Sequence, residues 1–517
     1  MADGHYDVII IGTGAGGGTL ANLLAASGKK ILVLERGSFL PKEKANWDST
    51  QVHKKERYLN SEVWYKKDGK PLRPLTHYYV GGNTKFYGGA LFRFREQDFE
   101  KIIHKDGISP EWPLKYRDFA PYYTQAEKLY EVHGQRGLDP TEPQSTKDYP
   151  FPPVSHEPFI QQIHNALKEK GFHPFYLPLG IKLNEANRFL SSCIRCDTCD
   201  GFPCFLNAKA DADINGIRPA LVYSNLTLMT NAKVLCLYTS ASGREVTGVK
   251  AEIVGKRYIF SGDIVVVACG AVNSAVLLLK SANDQHPNGL ANSSHLVGRN
   301  YMAHKFAVVM ALTTKQNPTV FQKTLALNDF YWGEKDFPYP MGSIQLLGNI
   351  NKDKIAANGP PFMPSILSEI LANHSVAWLL ITEDLPDPNN RVYVKGDKIF
   401  LDYTNNNEEV LNRFIKRWNQ VLKSIDKRYK NGFSLYVSTK MSIKEVVHQC
   451  GTCRFGEDPK TSVLDINCCT HDVNNLYVVD SSFFPSSTAL NPSLTIMANA
   501  LRVGEHLLER LGCHVFC

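Results

Sequence analysis

Hydrophobic positions along this chain fall into runs of distinct period. Tyr6 to Ile11 and Ile31 to Leu34 are short and almost wholly apolar, the pattern of strands covered on both faces in a parallel sheet. Between them an alanine- and leucine-rich stretch, Thr19 to Ala26, ends at Gly28 and predicts a helix. Ile264 to Ala268 and Leu476 to Asp480 repeat the all-apolar pattern, the first leading through Gly270-Ala271 into a helix that reaches Leu279. Val234 to Tyr238, Val246 to Val254 and Tyr258 to Phe260 predict a three-stranded meander with a Ser-Gly turn. Helical spacing marks the region from Trp112-Pro113 through Leu129, then Asn406 to Ile425, and an amphipathic closing segment from Pro492 to Leu511. Ser38 to Arg73 is lysine-rich but carries Trp47 and Trp64, so it reads as irregular yet folded, whereas Gly134 to Pro158 reads as a loop.

At 517 residues the chain is too long for one core, and two domains are expected. The fold class is α/β: a discontinuous Rossmann-like domain over residues 1–90, 205–300 and 446–517, and a second domain with an antiparallel sheet over 91–204 and 301–445. A net charge of +7 without a long basic block does not indicate a nucleic-acid partner. Met1 to His5 leave no room for a signal peptide, and no apolar run is long enough for an integral membrane segment. Twelve cysteines, several in CxxC spacing, suit a reducing compartment, so a cytoplasmic protein is expected.

The first 37 residues carry chemistry. The strand from Tyr6 stops at Gly12-x-Gly14-x-x-Gly17, a helix follows, and the second strand ends in Glu35. This is the β-α-β dinucleotide-binding order. Gly12 permits the tight turn, Gly14 lets backbone approach a pyrophosphate, and Gly17 lets helix and strand pack closely. The helix N-terminus offers unpaired N–H groups to phosphate, and Glu35 is placed to accept hydrogen bonds from a ribose, which disfavours a 2′-phosphate. This segment alone leaves FAD and NAD both open.

Further motifs decide between them. Gly81-Gly82-Asn83-Thr84-Lys85-Phe86-Tyr87-Gly88-Gly89, Trp112-Pro113 with Pro121-Tyr122-Tyr123, and Gly270-Ala271-Val272-Asn273-Ser274 follow the opening in order. Then come Val297-Gly298-Arg299-Asn300, His448-Gln449-Cys450-Gly451-Thr452-Cys453-Arg454-Phe455-Gly456, and Asp480 through Asn491-Pro492-Ser493-Leu494-Thr495. Over nearly its whole length the chain resembles the glucose–methanol–choline (GMC) flavoprotein oxidoreductases, which implies FAD. By that resemblance Gly14, Ala15, Glu35 and Arg36 fall at ADP-binding positions, Gly82, Asn83 and Thr84 at the turn under pyrophosphate and flavin, and Val234 where backbone meets adenine. Asp480 with Asn491-Pro492 falls in the segment that holds ribityl and isoalloxazine. Phe86 stands where some members attach FAD covalently through histidine, so non-covalent FAD is expected, and His77 lies too far upstream to substitute. Tyr87 replaces an asparagine common in the family, so the substrate contact beside the flavin is expected to differ.

The implied reaction is oxidation of an alcohol to a carbonyl with hydride transfer to flavin N5. Removing the hydroxyl proton calls for a group titrating near neutrality, and histidine needs least tuning. The resemblance gives that role to His448 and gives Asn491 the substrate oxygen, although Asn491 before Pro492 is also a natural helix N-cap. His304 and His471 read as structural. A sugar, aminosugar or polyol is the expected substrate; an aliphatic, aromatic or steroid alcohol is the alternative, and a flavin-dependent lyase is disfavoured by the His–Asn pair. Oxygen or another acceptor takes the electrons, with a dehydrogenase favoured slightly over an oxidase. Cys193, Cys196, Cys199 and Cys204 approach a ferredoxin-like run and also fit a zinc site or plain thiols bracing a loop. An Fe–S or Zn centre there would make the chain an electron-transfer flavoprotein subunit, the reading from a different class.

Overall fold

The opening strand His5–Ile11 lies in the middle of a seven-stranded sheet, flanked in parallel by Ile31–Leu34 and Lys256–Val267. Leu226–Met229 adds beyond Ile31–Leu34, also in parallel. Every residue of Val8 to Ile11 and of Ile31 to Leu34 is buried, as the unbroken apolar runs require. The computed structural model describes residues 4–145, 147–358, 363–426 and 433–513. The helix Ala15–Ala25 begins immediately after the glycine turn, four residues before the alanine-rich stretch that announced it. Gly12, at φ 102°, explains the early start: a Cβ there would meet the Ala268 carbonyl oxygen at 2.4 Å.

One strand was read as two. Tyr258 to Phe260 and Ile264 to Ala268 belong to a single twelve-residue strand, Lys256–Val267. Its first half pairs antiparallel with Val246–Ile253, which pairs in turn with Ala232–Thr239, giving the expected meander. Its second half pairs in parallel with His5–Ile11 on one side and with Leu476–Val478 on the other. The hydrophobic period changes at Gly262 because the strand leaves a half-exposed ribbon and enters a layer covered on both faces. Helices Ala271–Lys280 and Ser493–Arg510 follow, and the latter packs on Ala15–Ala25 and on Tyr116–Leu129.

A second, wholly antiparallel sheet has six strands in the order Phe433–Lys440, Lys305–Thr313, Ser375–Thr382, Ser343–Leu346, Leu325–Leu327 and Phe175–Tyr176. Register fixes its faces. Phe306 and Ser343 both oppose Ile381, and Val308 and Gln345 both oppose Leu379, so these six share one face. The other face, with Ala307, Val309, Ile344, Leu346, Trp378 and Leu380, packs on the long helix Glu408–Asp426 through Val410, Phe414, Trp418 and Val421. Residues 64–72 leave the first region: Trp64–Lys66 pairs with Lys398–Asp402, and with Arg391–Lys395 beyond it these strands make a four-stranded sheet. Among the described residues no helix is long and apolar enough to cross a membrane.

Trp112 joins the front half of the chain to its tail. It is 1% exposed, its ring packs on Phe94, Phe99, Phe119, Phe455, Phe483 and Phe484, and its Nε1–H donates to Ser486 Oγ at 2.8 Å. Trp112→Ala is expected to destabilise the protein by about 3–5 kcal/mol, read as a lowered thermal midpoint. Trp112→Phe, which keeps most of the packing, is expected to cost less than half of that.

Candidate active site

Thr13, inside the first glycine turn, ties that turn to the second. Its hydroxyl donates to Glu35 Oε2 at 2.5 Å and accepts the Gly81 N–H at 3.1 Å, while its backbone N–H also donates to Glu35 Oε2 at 3.1 Å. Glu35 Oε1 accepts from Gly37 N–H at 2.9 Å. Glu35 is therefore buried and held rigidly at the end of its strand, Oε1 keeping acceptor capacity for a ribose. Gly14 and Gly82 face one another, with a Cβ on Gly82 falling 3.3 Å from Gly14 Cα. Among the described residues no heavy atom lies within 4 Å of a Cβ built on Gly14. Asn83 Oδ1 accepts from His77 N–H at 2.9 Å, and Thr84 donates to Gly81 O and accepts from Ala212 N–H. Lys85 anchors the turn from beneath by buried ion pairs of 3.0 and 2.9 Å to Asp211 and Asp213.

These features fit FAD. Helix Ala15–Ala25 opens at Gly14 with no side-chain cap and no acidic residue in its first turn, which leaves its amide groups for a pyrophosphate. Helix Ser493–Arg510, beginning after Pro492, also lacks both, and its positive end favours an electron-rich ring system. Val234 sits where the 232–239 strand slips register, two residues beyond Ala232, whose N–H donates to the Glu35 carbonyl. Arg36 pairs with Glu62 at 3.2 Å and lies over the Tyr78 ring. The Asp480 carboxylate is engaged by protein: Oδ1 accepts from Ser482 N–H and hydroxyl, Oδ2 from Gly270 N–H and the Ser274 hydroxyl. Its side chain ties two strand ends together, leaving only backbone for a cofactor at that position. The Tyr87 hydroxyl donates to Ala210 O. His77, nine residues before Phe86 in sequence, stacks face to face on it at 3.6 Å, a proximity that spacing did not reveal.

His448 and Asn491 come to the same face of the antiparallel sheet. The His448 ring meets the edge of Phe306 at 5.1 Å, and Asn491 Oδ1 accepts from Gln345 Nε2 at 2.7 Å. Phe306 and Gln345 share that face by register. Asn491 makes no capping bond to the helix that follows, so its side chain serves this contact instead. His304, read from sequence as structural, lies against the pair: its Nδ1 is 2.9 Å from His448 Nδ1, and its Nε2 is 2.8 Å from Ser487 O. Burial, then the neighbouring His304 and Lys323, hold the His448 imidazole well below its usual range. Burial also pushes His304 down to about 4. Both rings are neutral at pH 7. His471 bonds Ser462 at 2.9 Å, as a structural residue would.

The cysteine run forms a loop pinned by Lys209, whose Nζ donates to Cys199 O at 2.8 Å and to Phe202 O at 2.7 Å. Burial pushes the Cys193 thiol up to about 11 and the Cys199 thiol up to about 12, so both are protonated. Among the described residues no three His, Cys, Asp or Glu side chains are disposed to hold a metal ion. In the structure the run Cys193, Cys196, Cys199 and Cys204 lies on a loop braced by Lys209. What the loop delivers is Asp200, paired with Lys323 at 2.6 Å and within electrostatic reach of His448. Thr13, Gln345, His304 and Lys323 are the residues sequence reasoning missed. Only Thr13 carried a local signal, its place inside the glycine turn.

Thr13→Val removes the donor to Glu35 and leaves the Gly81 N–H unpaired. The expected result is about 10- to 100-fold weaker FAD binding, the equivalent of one or two lost buried hydrogen bonds, measured as flavin retained on gel filtration.

The GMC oxidoreductase family models match residues 78–306 and 388–500. Residues 2–73, which contain the first glycine turn, also match the GDP dissociation inhibitor model. The chain is 29% identical to 6'''-hydroxyparomomycin C oxidase of Streptomyces lividus over 99% of its length and 94% of that protein. It is 28% identical to paromamine 6'-oxidase of Streptomyces fradiae, with the same coverage of each. Pyridoxine 4-oxidase from Mesorbium loti has the same fold, at a TM-score of 0.67 and 18% identity over 98% of this chain and 99% of that one. The chain belongs to the GMC oxidoreductase family, whose members use FAD to oxidise CH–OH groups.

Proposed function

We propose that this enzyme oxidises one hydroxyl group of a sugar, aminosugar or related polyol to a carbonyl, with His448 taking the hydroxyl proton and Asn491 holding the oxygen. The observation that carries the reading is the convergence of His448 and Asn491, 43 positions apart, on one face of the antiparallel sheet. FAD, bound non-covalently by Gly12, Gly14, Ala15, Gly17, Glu35, Arg36, Gly82, Asn83 and Thr84 and by backbone at Val234 and Asp480, supplies the hydride acceptor. Residues 1–90, 205–300 and 446–517 form the cofactor domain, and 91–204 with 301–445 the substrate domain.

A neutral, desolvated His448 accepts the proton as the alcohol loses its hydride, and an Asn491 N–H stabilises the charge that develops on the oxygen. Two features favour a substrate with several hydroxyl groups. Gln345 Oε1 is buried without a partner among the described residues, an acceptor that a second hydroxyl would satisfy. The Asp200–Lys323 pair adds an acceptor and a donor within reach of His448. Oxidation of 6'''-hydroxyparomomycin C and of paromamine by the two Streptomyces relatives, as their names state, points the same way.

Adding alcohols anaerobically and following flavin bleaching at about 450 nm tests the reading. Sugars, aminosugars and polyols are expected to bleach the flavin and long-chain or steroid alcohols to leave it oxidised; the reverse pattern overturns the substrate class. His448→Ala is expected to lower kcat by about 10²- to 10⁴-fold with flavin retained. Repeating the assay with oxygen and with an artificial acceptor assigns the electron acceptor. Acid precipitation is expected to release the flavin into the supernatant, as non-covalent binding requires.

The pH profile is a separate check. A base works unprotonated, and the His448 pKa is depressed, so kcat/KM is expected to stay level as pH falls from 8 to about 6.5 and to decline only below that.

A further inference from the structure

Two hydrogen bonds behind the catalytic pair decide which atom each member presents. His304 Nε2 lies 2.8 Å from the Ser487 carbonyl oxygen, which can only accept, so His304 carries its proton on Nε2. A neutral His304 then has a bare lone pair on Nδ1. His448 Nδ1, 2.9 Å away, must donate to it. The His448 tautomer is thereby set with the proton on Nδ1 and the lone pair on Nε2.

The second bond acts on Asn491. Gln345, fully buried, donates from Nε2 to Asn491 Oδ1 at 2.7 Å and to Ser343 Oγ at 3.3 Å. This occupies the acceptor end of the Asn491 amide and leaves its N–H₂ end for another acceptor. The opposite orientation of both amides would leave a Gln345 N–H orphaned in place of a carbonyl oxygen, the rarer and costlier arrangement.

We infer that His304 and Gln345 are positioning residues that make His448 the proton acceptor, through Nε2, and Asn491 the hydrogen-bond donor to the alcohol oxygen. The inference rests on the reading that these two residues act on the alcohol. It also gives the abstracted proton a second place to reside. When His448 Nε2 takes the hydroxyl proton, the Nδ1 proton can shift 2.9 Å donor to acceptor onto His304 Nδ1, so that the positive charge moves to His304. Glu383 faces that charge, its carboxylate held by Ser109 and by His104 at 3.1 Å. Burial alone would raise Glu383, but His104 and Ser109 keep it below its usual range and therefore ionised. On the His448 side, Lys323 opposes a cation and Asp200 favours one. The relay thus runs from surroundings of balanced charge toward a carboxylate.

Three variants of His304 separate this role from packing. His304→Ala is expected to lower kcat by about 10²-fold with flavin content and KM little changed. His304→Asn places an acceptor oxygen near the Nδ1 position and is expected to recover most of that loss. His304→Asp places a charged acceptor there and is expected to move the acid limb of kcat/KM upward by a unit or so, because it stabilises protonated His448. Gln345→Met is expected to lower kcat about 10-fold at unchanged KM. Equal loss in His304→Ala and His304→Asn, or an unmoved limb in His304→Asp, overturns the tautomer role. A raised KM at full kcat in Gln345→Met overturns the Asn491 role. Should the alanine variant shed its flavin, the ¹⁵N spectrum of histidine-labelled wild-type holoenzyme decides: a protonated Nδ1 on His448 is expected, and a protonated Nε2 overturns the inference. Full alcohol-dependent flavin reduction in His448→Ala would remove the proposed function itself. An inactive His448→Ala beside an unimpaired His304→Ala would remove only the inference.

Discussion

The three-residue stretch Val265 to Val267 is hydrogen-bonded in parallel on both sides, to Ile9–Ile11 from the beginning of the chain and to Leu476–Val478 from its end. The rest of the site depends on that shared strand. It brings the first glycine turn and the C-terminal tail to neighbouring strand ends, where a parallel sheet opens its ligand crevice. Asp480 then ties the arrangement laterally, bonding Gly270 and Ser274 on one side and Ser482 on the other. The entropy of closing loops of more than 200 residues grows only logarithmically with length, so a compact apolar pairing can hold segments so distant in sequence.

The chemistry sits on a different kind of support. The antiparallel sheet has one face buried against the helix Glu408–Asp426, and the register that buries Trp378 and Leu380 there also turns Phe306 and Gln345 toward His448 and Asn491. A one-residue slip in any of the three central strands would exchange the two faces. Packing on the helix side therefore specifies polar contacts on the catalytic side. Residues such as Gln345 and His304 are buried with hydrogen bonds to other buried groups, where a missing partner costs more than an average hydrogen bond provides. That asymmetry makes the orientation of the pair rigid.

Legibility in the sequence followed the range of the interactions. The strand–glycine–helix opening, the meander, the Glu408–Asp426 helix and the closing helix could be read because each is signalled by local period and by glycine or proline. Legibility ended where local signals meet tertiary demands. The break at Gly262 looked like a strand end, yet the strand continues because each half finds a different partner. The cysteine spacing left a metal site and plain thiols bracing a loop both open, and only the structure shows the loop pinned by Lys209, with buried, protonated thiols at Cys193 and Cys199. Asn491 could be read from sequence both as a substrate contact and as a helix cap, and the bond it makes, to a strand 146 residues away, lay outside any local signal.

By itself the sequence determined the cofactor class and the family and named His448 and Asn491 as candidates for the chemistry, since a phosphate cradle and a histidine-bearing tail are encoded in contiguous segments. Only the tertiary structure decided what surrounds those residues: the contact of His448 with His304, the bond from Gln345 to Asn491, the partners of Glu35 and Asp480, and the placement of Lys323 and Asp200 near His448. The reason is physical. A backbone turn is a local conformational choice made by a few neighbouring residues. The direction of a hydrogen bond between two buried side chains is set by whatever third group each must satisfy, and here those groups arrive from sheets and loops far away in the chain.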